Sequence, residues 1–168
     1  MGKWGVKCAP VPFKANAMFR GANQVTLDAK GRLAMPTRYR ERLVERSNGR
    51  LVATVDRADR CLLIYPLPEW EEIELKLRAL PTLNPTARRL QRLMIGHAAD
   101  LELDTSGRIL IPPGLREYAG LQRDAMLVGQ GNKFELWDEA LWNESREQWL
   151  KAEESAEELP PELGSLSL

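Results

Sequence analysis

The chain has 168 residues, a 43% hydrophobic share, and 24 basic residues balanced by 24 acidic ones. That length suits one domain of good size or two small fused units, and the apolar share supports a packed core. Zero net charge removes a basic pI as an argument for nucleic acid, and no apolar run approaches the ~18 residues of a membrane span. One His and two Cys are too few soft ligands for a zinc set or a disulfide framework, so no metal or cofactor is expected and a reducing, cytoplasmic compartment is the simplest reading.

Residues 1–17 show no periodicity, carry two prolines and precede a second Met, Met18. Ala15-Asn16-Ala17 has the small-residue look of a cleavage site. No apolar h-region of about 7–15 residues stands before it, so the segment reads as an upstream-start or vector-derived extension.

Next comes Val25-Thr26-Leu27-Asp28-Ala29-Lys30-Gly31-Arg32-Leu33-Ala34-Met35-Pro36, and the chain writes this stretch twice. The second copy, Leu101 to Pro112, places Asp104, Gly107, Arg108 and Pro112 in register with Asp28, Gly31, Arg32 and Pro36, 76 positions on. The match continues to Arg40-Glu41 and Arg116-Glu117. Apolar residues alternate on both sides of each Asp-x-x-Gly-Arg, which predicts two half-buried strands joined by a turn. Gly31 and Gly107 supply the positive φ such a connection needs, and the Pro opens a short helix. Asp four positions before Arg is placed to pair with it and hold the guanidinium in one orientation.

Thr37 to Arg46 predicts a helix burying Tyr39 and Leu43, with Val44 at its margin, ended by Ser47-Asn48-Gly49. Leu51–Val55 and Cys61–Tyr65 read as a hairpin. Pro66 and Pro68 introduce a helix carrying Trp70, Ile73, Leu77 and Leu80 on one face, and Pro81 stops it. Asn84-Pro85 is a cap-plus-first-turn start for a second helix, with Ala87, Leu90, Leu93 and Met94 as its buried stripe and Arg88, Arg89 and Arg92 on its other side. The second half repeats the plan. Leu115–Ala119 is a short helix ended by Gly120. Ala125–Val128 and Lys133–Trp137 form a hairpin turning through Gly129-Gln130-Gly131-Asn132. Asp138 caps a helix bearing Leu141, Trp142, Ser145 and Trp149. Tyr65-x4-Trp70 matches Trp137-x4-Trp142, so the duplication spans both halves. The divisions read from this are an extension at 1–17, a first repeat with two helices at 18–96, a second repeat with a C-terminal helix at 97–150, and an acidic tail at 151–168.

No catalytic constellation emerges. His97, the single histidine, reads as structural, and no phosphate-binding or dinucleotide fingerprint is present. Charge, however, is unevenly placed. Residues 18–50 hold Arg20, Lys30, Arg32, Arg38, Arg40, Arg42, Arg46 and Arg50 against Asp28, Glu41 and Glu45, while residues 144–168 hold seven Glu against Arg146 and Lys151. The same Asp–Arg loops admit two readings from residues alone. Either the ion pairs merely stiffen turns, or they present Arg32 and Arg108 to phosphate and to guanine's major-groove edge, which the planar guanidinium fork suits.

Met18-Phe19-Arg20-Gly21, Leu27-Asp28-Ala29-Lys30-Gly31-Arg32 with Pro36, and Leu103-Asp104-Thr105-Ser106-Gly107-Arg108 with Pro112 together resemble the MraZ family of bacterial transcriptional regulators, over Met18 to about Trp149. The resemblance implies an α+β fold, mainly β with peripheral helices, in which two tandem half-repeats similar to AbrB-type swapped hairpins form an intramolecular pseudo-dimeric, double-psi-like barrel. It implies a nucleoid-associated, non-enzymatic repressor of its own division and cell-wall gene cluster. Such a protein assembles as a ring-shaped homo-oligomer and binds direct repeats in double-stranded DNA. The motif arginines fall on Arg32 and Arg108, with Lys30 and Arg20 as further candidate DNA contacts. Asp28, Gly31, Asp104 and Gly107 fall in structural roles. Arg32 with Lys30 is the larger expectation for DNA contact, since the second loop has Thr105 and Ser106 where the first has Ala29 and Lys30. The rival reading is an oligomeric protein-interaction scaffold whose Asp–Arg hairpins are structural.

Overall fold

The computed structural model describes residues 18–152; the readings made for residues 1–17 and for the tail beyond Ala152 lie outside the described residues. Over this range the chain is mixed α+β, with eight strands and five helices. In order these are β1 (Phe19–Thr26), β2 (Arg32–Ala34), α1 (Thr37–Ser47), β3 (Arg50–Val55), β4 (Leu62–Pro66), α2 (Leu67–Arg78), α3 (Pro85–Met94), β5 (Ala99–Glu102), β6 (Arg108–Leu110), α4 (Pro113–Tyr118), β7 (Asp124–Gly131), β8 (Phe134–Asp138) and α5 (Glu139–Lys151).

Local signals account for most of these boundaries. Asn84 caps α3, its side chain accepting from the backbone N–H of Thr86 at 2.9 Å and Ala87 at 3.2 Å. Asp138 caps α5 by accepting from Leu141 N at 3.2 Å. Asn48 ends α1 in the left-handed conformation, φ 55°, with Gly49 following at φ 76°. Tyr39 and Leu43 are the buried residues of α1, while Val44 faces solvent.

The strands pair across the two repeats. One sheet has six strands in the order β1-β7-β8-β4-β3-β5, and a second has two, β2 and β6. Each repeat thus keeps its own β3–β4 or β7–β8 hairpin and sends its first strand to the other's: β1 lies along β7, and β5 along β3. The turn expected between the strands flanking Asp28 is therefore not a hairpin. Only an isolated bridge, Leu27↔Leu33, joins them, and β2 pairs with β6 instead. Alternation reported correctly that Val25, Leu27, Leu33 and Met35 are buried. It carries no information on which strand lies alongside. Nor does the six-stranded sheet close into the expected barrel: β1 and β5 stand at its ends, and no ladder among the described residues joins them. The short strands β2 and β6 leave the sheet and seal one of its faces.

The register is that of a two-fold arrangement. Leu33 pairs with Ile109, its own counterpart in the other repeat. In the centre of the large sheet Leu63 pairs with Glu135, flanked by Leu62↔Leu136 and Ile64↔Phe134. Under the ribbon lies the main core, with Phe19, Leu33, Tyr39, Leu43, Leu62, Ile109 and Phe134. The opposite face carries two smaller clusters. Trp70 and Leu77 of α2 pack with Val52, Leu63 and Tyr65, while Trp142 of α5 packs with Cys61, Met126, Val128 and Trp137. The matched aromatic pairs do meet, Tyr65–Trp70 at 5.9 Å and Trp137–Trp142 at 5.7 Å between ring centroids.

β7 runs on through Gly129-Gln130-Gly131 by pairing with β1. Its pairing with β8 ends at Gly129↔Phe134, and the reversal beyond is closed by Gln130 N donating to Lys133 O at 2.8 Å, with Gly131 inside it at φ 82°. A side chain at Gly129 would come within 2.5 Å of the Arg20 backbone, so glycine there admits the close passage of β1.

Candidate nucleic-acid interface

Each Asp-bearing loop is organised by its carboxylate. Asp28 Oδ1 accepts the backbone N–H of Lys30 at 2.9 Å and of Arg32 at 2.8 Å, and Oδ2 accepts Arg32 Nε at 2.8 Å. Asp104 repeats the pattern with Ser106 N at 2.8 Å, Arg108 N at 2.9 Å and Arg108 Nε at 3.1 Å. The backbone N–H of Arg32, and likewise of Arg108, is the largest influence holding the respective carboxyl below its ordinary value. Both carboxylates therefore stay charged at neutral pH, and their loop bonds weaken only as pH falls through the lowered value.

The two loops are also locked to each other. Met35 N donates to Gly107 O and Ile111 N to Gly31 O, each at 2.9 Å. Arg40 Nε donates to Met35 O at 2.7 Å, and Arg116 Nε to Ile111 O at 3.0 Å. Arg40 thereby lies against Gly107, and Arg116 against Gly31. Sequence reasoning noted the repeat of Arg40 and Arg116 but assigned them no role. Their signal was that same recurrence in register.

With Leu33 and Ile109 buried, β2 and β6 turn Arg32, Ala34, Arg108 and Leu110 to the other face of the ribbon. Arg32 stands opposite Leu110, and Arg108 opposite Ala34. Each arginine is about one-third exposed and is held through Nε, which leaves its terminal nitrogens without a partner among the described residues. Such a surface can donate to phosphate or to a base edge. Lys30 is exposed on the first loop, next to Arg32. Arg20 is not part of this group: it lies at the far end of β1, opposite Gln130, about 20 Å from Thr26 at the usual rise per strand residue. Beside the first loop runs a groove of about 740 Å³, lined by Asp28, Arg32, Arg108, Arg116, Gln122 and Arg123 among others.

Much of the basic stretch 18–50 has partners within the chain, although none of its eight cations is buried. Arg38 bonds Asn23, Arg42 Nη1 bonds Met18 O at 3.0 Å, and Arg46 pairs with Glu69. Elsewhere, His97 is exposed with Nδ1 2.8 Å from Leu93 O. Asp56, Cys61 and Glu135 bring possible metal-ligand atoms within 4.8 Å of one another. The thiol already donates to Asp56 at 3.6 Å, however, and Glu135 accepts from Trp137 Nε1 at 2.9 Å. Burial, reinforced by Glu135 and Asp56, pushes the Cys61 thiol up and keeps it protonated. No described helix is long and apolar enough to cross a membrane.

Comparison with known proteins gives a consistent result. The profile of the family described as "MraZ protein, putative antitoxin-like" matches twice, over residues 18–93 and 94–160. The chain is 62% identical over 152 residues to a protein of Halorhodospira halophila named transcriptional regulator MraZ, covering 90% of this chain and all of the relative. Proteins of the same name from Coxiella burnetii, at 59% over 152 residues, and Pseudomonas aeruginosa, at 62% over 151, show the same coverage.

Proposed function

This chain belongs to the MraZ family, and from that premise we propose that it is a sequence-specific DNA-binding transcriptional regulator. It acts as a repressor at direct repeats upstream of its own division and cell-wall gene cluster. It works in the cytoplasm, at the nucleoid, as a ring-shaped homo-oligomer. On this reading the exchanged first strands are the swapped-hairpin arrangement of AbrB-type modules, made within one chain.

The observation that carries the reading is the shared outer face of the β2–β6 ribbon, where Arg32 and Arg108 stand diagonally across one strand pair. A two-stranded ribbon fits the major groove, and a guanidinium fork donates two parallel bonds to guanine or phosphate. The Asp28 and Asp104 pairs fit both earlier alternatives at once, since a stiffened loop is also a loop with a pre-oriented arginine. Assembly into a ring multiplies modest contacts by effective concentration. Trp149 and Leu150 of α5 and Leu75 of α2, exposed at 49%, 74% and 63%, offer apolar surface for that assembly.

The test is a gel shift on duplex DNA from the region upstream of the protein's own gene, with the oligomer followed by light scattering. Arg32→Ala is expected to lose specific binding while the oligomer persists, and Arg108→Ala to lose as much or less. Binding by Arg32→Ala equal to wild type would sink the assignment.

A further inference from the structure

The two loops share a backbone plan, yet their neighbours differ. Leu27 N donates to Arg123 O and Leu103 N to Gly49 O, both at 2.8 Å, so Arg123 and Gly49 occupy matching places in the two repeats. The strand registers agree: Val25 pairs with Ala125, and Leu101 with Leu51. At the first loop the neighbour supplied by the opposite repeat is therefore Gln122-Arg123. At the second it is Asn48-Gly49.

Arg123 lines the groove beside the first loop together with Arg32, Arg108 and Gln122. It is exposed, and among the described residues its guanidinium has no hydrogen-bond or ion-pair partner. Three of the four acids nearby are engaged elsewhere. Asp28 holds Arg32. Asp124, Asp138 and Glu139 line an adjoining depression on the α5 side, which Gln122 and Arg123 also border; of these acids, Asp138 caps α5 and Glu139 accepts from Gln24 at 3.0 Å. The groove thus contains more guanidinium than carboxylate. At the second loop no equivalent side chain can be accommodated without strain. Gly49 has φ +76°, and a Cβ there would meet Leu103 at 3.3 Å.

We propose that Arg123 binds a DNA backbone phosphate and completes the first loop's contact with the duplex, making a two-fold scaffold into an asymmetric reader. One end, with Lys30, Arg32 and Arg123, grips the backbone more strongly than the other, with Ser106, Arg108 and Gly49. This inference rests on the DNA-binding reading above.

Fluorescence anisotropy with the same upstream duplex, titrated over a range of salt, tests it on the full-length oligomer. Loss of one phosphate contact lowers the slope of log K against log salt by about 0.9. Arg123→Gln is expected to show that change once for each subunit engaged on the duplex, with roughly fivefold to tenfold weaker binding per engaged subunit at 0.15 M salt. Arg123→Lys, which keeps the charge, is expected to retain the wild-type slope. Wild-type slope and affinity in Arg123→Gln would overturn the inference while leaving the DNA-binding reading intact. Equal slope losses in Arg123→Lys and Arg123→Gln would also overturn it, since the effect would then lie in the shape of the loop. A wild-type protein that binds no duplex would remove both readings.

Discussion

A methyl group at position 31 would meet two obstacles at once. The backbone there has φ +85°, and the added carbon would fall 2.6 Å from Arg116 Nε, which is itself tied to Ile111 O. Gly31→Ala is accordingly expected to lower stability by about 1–2 kcal/mol, read as a shift in the urea midpoint. Gly114→Ala, where a Cβ meets nothing within 4 Å, should be neutral or slightly stabilising. The recurrence of Gly31 and Gly107 announced a required turn, but only the fold revealed that an arginine from the opposite repeat lies over each. The same holds for Arg123, whose place beside Asp28 depends on the pairing of β1 with β7, about a hundred residues away in the chain.

Among the elements, helices were the most legible because their determinants are local. Asn84-Pro85 named the start of α3, and the cap bonds are there. Asn84→Ala is expected to cost about 1 kcal/mol in chemical denaturation, the usual value of such a cap. Tyr65–Trp70 and Trp137–Trp142 were matched by spacing and form equivalent contacts at each strand-to-helix junction. Strands were harder. The stretch Gly21-Ala22-Asn23-Gln24 has no alternation to mark it, yet it pairs residue for residue with β7. As an edge strand it meets solvent along one side, so its partner and not its pattern defines it. Gly129 was misread for a related reason, since it serves a neighbouring backbone, whereas Gly131 does lie in the turn, at φ 82°.

At the scale of the whole molecule, the exchanged strands make each repeat depend on the other. A fragment of residues 18–96 keeps β3 and β4 but loses the partners of β1 and β2, and with them one side of the main core. Either half alone, at low concentration, is expected to lack a cooperative melting transition, and mixing the two should restore one by circular dichroism. Independent cooperative folding of both halves would contradict this. The sequence by itself determined that there are two repeats, which residues of the strands flanking each Asp–Arg loop face the core, where α3 and α5 begin, and that Asp28 and Asp104 stand within reach of Arg32 and Arg108. All of these follow from spacing over a few residues. The buried stripe expected on α3, by contrast, shrinks to Ala87. Only the tertiary structure decided that β2 pairs with β6, that the large sheet stays open, that much of the basic front has partners within the chain, and that Arg123 joins the first loop while Arg20 lies far from it. Alternation fixes which side of a strand faces the core, but the choice of neighbour is made by long-range packing that no local pattern encodes.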